Sequence, residues 1–257
     1  SLPWPITRCR SPPEVAWPNT GDTAVGETRE EICKNASRNL AEAGPGLATR
    51  PVVVGLDGFV DAITAVVDKR YSSEHYDPIR TIGAFAEKIR LAAGESSNYE
   101  LVVKQRKLGG NGPIMANALA ALGLDVTYLG ALGHPVRDPV FDDLARRARV
   151  ISIAQPGQTD ALEFDDGKLM VGKHESLRDV NWENLIACVG QQELAAMFQN
   201  AHLVGLVNWT MLPQMSRIWS MLLEHVYTPG ERRPGTLFID LTDPVKRTPD
   251  DIAAALA

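Results

Sequence analysis

Short apolar runs dominated by β-branched residues recur along this chain, and helix-like stretches separate them. Pro51-Val-Val-Val-Gly-Leu56, Val126–Leu129, Val150–Ile153, Leu203–Val207 and Thr236–Ile239 are such runs. A strand that short and that continuously apolar is buried on both faces, as parallel strands are. Ile82–Ala93, Pro113–Leu122, Asp138–Ala148, Trp182–Phe198 and Pro213–Val226 read as helices, and Thr248-Pro249-Asp250 opens another. The alternation predicts an α/β fold: a doubly wound, mostly parallel sheet with helices on both faces. Such folds bind ligands beyond the carboxyl ends of their strands. The loops after Leu56, Leu129, Val207 and Ile239 are therefore where chemistry is expected.

Two segments break the alternation. Ala62–Val67 is a second strand with no helix before it. Thr159–Phe164 and Lys168–Val171 flank Asp165-Asp-Gly167, and Asp-Gly between strand-like runs signals a hairpin. Residues 1–50 stand apart as an N-terminal arm and helix. Pro3, Pro5, Pro12, Pro13 and Pro18 mark a loop. Thr28–Ala43 reads as a helix with a Thr28/Glu31 capping box, ended by Gly44-Pro45-Gly46. Residues 51–257 then form the α/β domain.

Several function classes are excluded. The formal net charge of -6 leaves no basic excess for phosphate-backbone contacts, so no nucleic-acid partner is expected. No run of about 18 apolar residues is present, so no membrane span is expected. Cys9, Cys33 and Cys188 form no CxxC pair and no disulfide framework, which fits a reducing, cytoplasmic setting. The histidines form neither HxH nor HxxxH, so no metal site is expected.

Three constellations can carry chemistry. Gly55-Leu-Asp57-Gly-Phe-Val-Asp61 places two carboxylates just past a buried strand, where each can accept hydrogen bonds from sugar hydroxyls. On spacing alone they serve equally as helix caps or turn formers. Leu108-Gly109-Gly110-Asn111-Gly112 opens a helix with free N–H groups and room for a ligand. It lacks the last glycine of G-x-G-x-x-G and the Lys-Ser/Thr of a P-loop, which speaks against a nicotinamide-dependent oxidoreductase. Asp240-Leu-Thr-Asp243-Pro244 follows the last strand, on the ligand-facing edge.

The order of Gly-Leu-Asp-Gly-Phe-Val-Asp61, Gly109-Gly-Asn-Gly112 with Ala-Leu-Ala-Ala-Leu-Gly123, and Gly130-Ala-Leu-Gly133 resembles the ribokinase-like (PfkB) family of carbohydrate and nucleoside kinases. The resemblance implies a doubly wound α/β domain with a small β lid, whose strands lie near 62–68 and 159–172. It implies transfer of the ATP γ-phosphoryl group to a sugar hydroxyl, with ATP and Mg²⁺ as cofactors and a small sugar or nucleoside as substrate. By the same resemblance Asp61, Gly109, Gly110 and Asn111 bind substrate, joined by Asp57; Asn117, Asp240 and Asp243 are further candidates for substrate or phosphate contact.

The chain also departs from the family pattern. Ile114 stands where the family carries a second polar residue, and His134-Pro-Val-Arg137 replaces its acidic stretch. Asp57 and the 240–244 loop look more like the nucleoside-kinase branch. The family's Gly-Ala-Gly-Asp, with its catalytic base, is not found after Ile239. The expectation is accordingly a sugar kinase represented by its substrate-binding part, without the C-terminal part of the fold. The expected base lies beyond Ala257, the 257-residue polypeptide alone is inactive, and an apolar sheet edge is left open. The alternatives are a non-catalytic sugar or nucleoside sensor and a nucleoside kinase. A homodimer through the lid is compatible with either.

Overall fold

All five apolar runs form strands in the computed structural model, which describes residues 28–227 and 235–256. In chain order the elements are α1 (Arg29–Leu47), β1 (Pro51–Leu56), β2 (Phe59–Arg70), β3 (Tyr76–Pro78), α2 (Ile82–Leu91) and β4 (Leu101–Gly109). Next come α3 (Asn111–Ala121), β5 (Asp125–Gly130), α4 (Asp142–Ala145), β6 (Arg149–Ser152), β7 (Gly157–Phe164) and β8 (Gly167–Lys173). The last are α5 (Trp182–Val189), α6 (Gln191–Asn200), β9 (Leu203–Leu206), α7 (Met215–His225), β10 (Thr236–Ile239) and α8 (Pro249–Leu256).

The central sheet has the order β10-β9-β1-β5-β6, and every neighbouring pair is parallel. Its inner strands β9, β1 and β5 are buried because their successive side chains feed two separate cores. Val53, Leu56, Leu129, Val204 and Leu206 pack with Leu185, Leu194, Phe198, Ile218 and Leu222, from α5, α6 and α7. Val52, Val54, Val126 and Tyr128 pack on the other face with Ala116 of α3, Phe141 and Leu144. The period-2 alternation of these inner strands thus meets helices on both sides, as double winding requires.

The lid is a second sheet of order β3-β2-β7-β8, with β4 paired to the other edge of β2. The β2–β4 and β7–β8 pairs are antiparallel, whereas β2–β7 is parallel. A small core of Val66, Ile79, Phe85 and Leu162 sits beneath α2. The Asp-Gly turn is where the sequence places it, between β7 and β8. Among the described residues no helix is long and apolar enough to cross a membrane.

Several boundaries differ from the sequence reading. The capping box of α1 forms, with Thr28 N–H on Glu31 Oε2 at 2.7 Å and Glu31 N–H on Thr28 Oγ1 at 3.3 Å. The helix nevertheless continues past Gly44-Pro45-Gly46 to Leu47, since a proline this near the C-terminal end removes only one late hydrogen bond. The expected helix over 138–148 reduces to a 3₁₀ turn at Pro139–Phe141 and one turn of α4. The expected helix over 182–198 is two helices, broken at Gly190, whose φ is 83°. β4 was not anticipated: Leu101-Val-Val-Lys-Gln-Arg-Lys is exposed on both faces over most of its length and shows no apolar alternation. The arm over 1–27 lies outside the described residues.

The open sheet edge is where the sequence predicts it. Among the described residues β10 pairs only with β9, and Leu237, Phe238 and Ile239 are 42%, 46% and 41% exposed. Leu237 and Ile239 border an apolar cleft that also takes in Leu206, Trp219 and Leu223.

Candidate functional site

The site grows from the end of β1. Asp57 follows Leu56 directly and is wholly buried. Its carboxylate caps the N-terminus of α3: Oδ2 accepts the Asn111 N–H at 2.9 Å and Oδ1 accepts the Gly112 N–H at 2.8 Å. A carboxylate there satisfies two of the helix's orphan donors and faces the positive end of its dipole. The Asn208 Nδ2 adds a third bond to Oδ2 at 2.7 Å, and the Tyr128 hydroxyl donates to the Asp57 carbonyl. Asp57 is therefore a helix cap. The expected role as a direct hydroxyl acceptor does not match this placement, because its oxygens face inward onto protein donors.

The glycines of the turn are explained by the same cap. A Cβ on Gly112 would lie 2.6 Å from both Asp57 Oδ1 and the Tyr128 hydroxyl. Gly110 sits at φ 97°, and a Cβ there would be 2.9 Å from Asp57 Oδ2.

Burial pushes the Asp57 carboxyl up to about 6, against the opposing pull of its hydrogen bonds from Asn208, Gly112, Asn111 and Tyr128. A raised folded-state pKa means that the native protein holds this proton after the unfolded chain has lost it. Between about pH 4 and 6 this group therefore lowers stability as pH rises, by up to about 1.4 kcal/mol per pH unit. Asp57→Asn is expected to flatten that part of the stability–pH curve in urea titrations. An unchanged slope would show that Asp57 ionises freely in the fold.

A second layer closes over the cap. Asn208 follows β9 in the left-handed conformation, φ 65°. Its Oδ1 is 3.1 Å from the Thr242 hydroxyl, which is also 3.1 Å from Asp240 Oδ2. Thr242, again at φ 65°, donates its N–H to Asp240 Oδ1 at 2.8 Å. The Asn111 Nδ2 donates to Asp240 Oδ2 at 2.7 Å and to the Thr242 hydroxyl at 3.2 Å. Asp57, Asn208, Thr242, Asp240 and Asn111 thus form a closed ring of hydrogen bonds at the carboxyl ends of β1, β9 and β10. Burial is the largest single influence on Asp240 and acts upward. Its bonds from Asn111, Thr242 and Asn208 together outweigh it and hold the carboxyl below the usual range.

Asp61 approaches the same turn from the lid. It lies on β2, half-buried, with its carboxylate against Gly109, where a Cβ would come within 2.5 Å of Oδ2. Burial raises its pKa, while a hydrogen bond from Thr159 and the charge of Lys168 act downward. Three carboxylates therefore converge on one four-residue turn: Asp61 at Gly109, Asp57 at Gly110 and Gly112, and Asp240 at Asn111. Asn111 is exposed, and its Oδ1 has no partner among the described residues.

Two further candidates are not brought into this cluster. Asn117 sits farther along α3, where its Oδ1 accepts from Arg147 Nη1 at 3.0 Å. Asp243 pairs with Lys246 at 3.2 Å. Conversely, Tyr128, Thr159, Asn208 and Thr242 were not singled out. The loop after Val207 faces the ligand edge by its place in the sequence, and a lone Asn there, able to take the left-handed conformation, is the available signal.

A parallel sheet with its polar ring at the strand ends, roofed by a β lid, defines the ribokinase-like class of α/β proteins. The comparisons go one step further. The family model for prokaryotic ketohexokinase matches residues 25–257, and the chain belongs to that family. A ketohexokinase of Haloferax volcanii is 30% identical over 233 residues, covering 90% of this chain and 62% of the relative. The chain thus spans less than two thirds of that protein's length. Similar solved structures include a carbohydrate kinase from Agrobacterium tumefaciens, with 13% identity, TM-score 0.49, and coverage of 77% of this chain and 55% of that one. A fructokinase from Xylella fastidiosa is 13% identical at TM-score 0.48, covering 80% of this chain and 55% of that one.

Proposed function

We propose that the protein containing this chain transfers the γ-phosphoryl group of ATP to a hydroxyl of a ketohexose, and that the residues described above form the sugar side of that reaction. The observation that carries this reading is the Asp61 carboxylate lying on Gly109, two residues before Asn111, whose Oδ1 has no partner among the described residues. An ionised carboxylate accepts only, so it suits adjacent hydroxyls and repels a phosphate. Gly109, with no side chain, lets the sugar approach both groups. The ring of Asp57, Asn208, Thr242 and Asp240 fixes that turn and leaves little motion in the bound hydroxyl, which in-line phosphoryl transfer requires. The lid carries Asp61 and excludes water that would otherwise accept the phosphoryl group.

Among the described residues no group of three or more His, Cys, Asp or Glu side chains could hold a metal ion. Mg²⁺ enters this reading only as the counter-ion of the ATP phosphates. The family name and the name of the Haloferax relative support ketohexose over nucleoside. A cytoplasmic location, with free Cys33 and Cys188, and a homodimer through the lid's exposed Val103, Met170 and Val171 belong to the same proposal.

The test is turnover by the full-length protein with Mg-ATP and a panel of ketohexoses, aldohexoses and nucleosides. ADP release with a ketohexose is the expected result. Turnover with nucleosides alone, or sugar binding without ADP release, would overturn it.

A further inference from the structure

One polar residue at this site has no role in the account above. Across the lid, Lys107 of β4, Asp61 of β2, Thr159 of β7 and Gly172 of β8 stand in one hydrogen-bonded register. Residues paired in this way project from the same face of a sheet. The fourth position is vacant of its own side chain, yet it is filled. The imidazole of His174 folds back over Gly172, so that a Cβ there would collide with Nε2. His174 also meets the ring of Phe59 edge-on at 5.3 Å. Phe59 in turn reaches the turn of the site, since its Cδ2 would be 3.2 Å from a Cβ on Gly110. Burial lowers the His174 pKa first, and the charge of Lys246 from the 244–246 turn lowers it further. Lys246 is itself paired with Asp243. Both influences favour the neutral ring, which has one nitrogen to donate and one to accept.

We propose that His174 is a second, lid-borne hydroxyl-binding residue, which holds the end of the sugar opposite to that held by Asp61. This rests on the reading of Asp61 as a sugar ligand. One strand, β7, lies between the two positions, so their backbones are two strand spacings apart, about 10 Å. The occupied Gly172 position makes the residue choice specific, because any side chain at 172 would push the imidazole out of the row.

Calorimetric titration of the full chain with D-fructose, without nucleotide, tests this. His174→Ala and His174→Phe are each expected to weaken binding about tenfold, the worth of one hydrogen bond. Phe keeps the packing on Phe59 and loses both nitrogens, so it separates hydrogen bonding from packing. Gly172→Ala, which displaces the ring and leaves His174 in place, is expected to give a similar loss. Among monodeoxy-fructoses, one should bind wild type weakly and bind His174→Ala no worse than D-fructose itself does. Wild-type affinity in His174→Phe, with Asp61→Ala still defective, would overturn the inference and leave the sugar site standing. No D-fructose binding by wild type would overturn both.

Discussion

Asp61→Ala is expected to abolish measurable sugar binding, a weakening of at least about a hundredfold, while the protein melts no lower than wild type. Two hydroxyl donors to a carboxylate are worth about 1.5–3 kcal/mol each, and about 1.4 kcal/mol is tenfold in affinity. The fold has little to lose, because the carboxylate is half-buried and burial already disfavours its charge. Deleting a partly desolvated charge with one hydrogen-bonding neighbour is neutral or mildly stabilising. Asp61→Asn keeps the shape and half of the acceptor capacity and should fall between the two. Calorimetry with a ketohexose and a thermal melt of the same samples give both readings. Unchanged affinity in Asp61→Ala would remove Asp61 from the site.

Gly112→Ala should have the largest effect on stability, about 3 kcal/mol. A Cβ there would stand 2.6 Å from Asp57 Oδ1 and from the Tyr128 hydroxyl, and neither can retreat. Asp57 is pinned by backbone and side-chain donors. Tyr128 is fully buried against Phe141, Leu144 and Ala116. Relief requires α3 to slide along its axis, which breaks the cap and draws Asn111 away from Asp240. Urea denaturation is expected to show a lower midpoint with an unchanged slope, together with weaker sugar binding. Gly83→Ala serves as the control, since a Cβ on that α2 residue meets nothing within 4 Å. Alanine there should be neutral or stabilise by up to about 1 kcal/mol. Equal effects of the two substitutions would show that the cap is not rigid.

The central sheet was legible because its signal is redundant. Each strand is a continuous apolar run, and each lies between turn or helix signals. The lid was legible only in part. Its hairpin carries Asp-Gly, a local signal, whereas β4 is a charged strand held by pairing with β2 and has no burial pattern to read. Helix ends failed where tertiary packing decides. Only Phe141 and Leu144 of the 138–148 stretch are fully buried in the core, and two such anchors do not need three turns of helix. At the site, the sequence pointed to Asp57, Asp61, Gly109, Gly110, Asn111 and Asp240, and the structure brings these onto one turn. It did not separate Asp57 as cap from Asp61 as the half-buried carboxylate of the lid, because both follow the same strand. Only the inward course of one and the position of the other on β2 distinguish them. Asn208 and Thr242 were out of reach, since their partners are set by which strands are neighbours.

The hydrogen-bonded ring has a kinetic consequence. Its Asn208–Asp57 bond joins residues 151 positions apart, and its Asn111–Asp240 bond joins residues 129 apart. Closing such loops carries the chain-entropy cost of nearly the whole fold, and contacts of that separation slow folding. Helices and the local β7–β8 hairpin form early on this account, whereas the ring waits until β9 has docked beside β1 and β10 beside β9. Competence to bind sugar should then appear later in refolding than far-ultraviolet ellipticity, making the ligand a reporter of the final docking step.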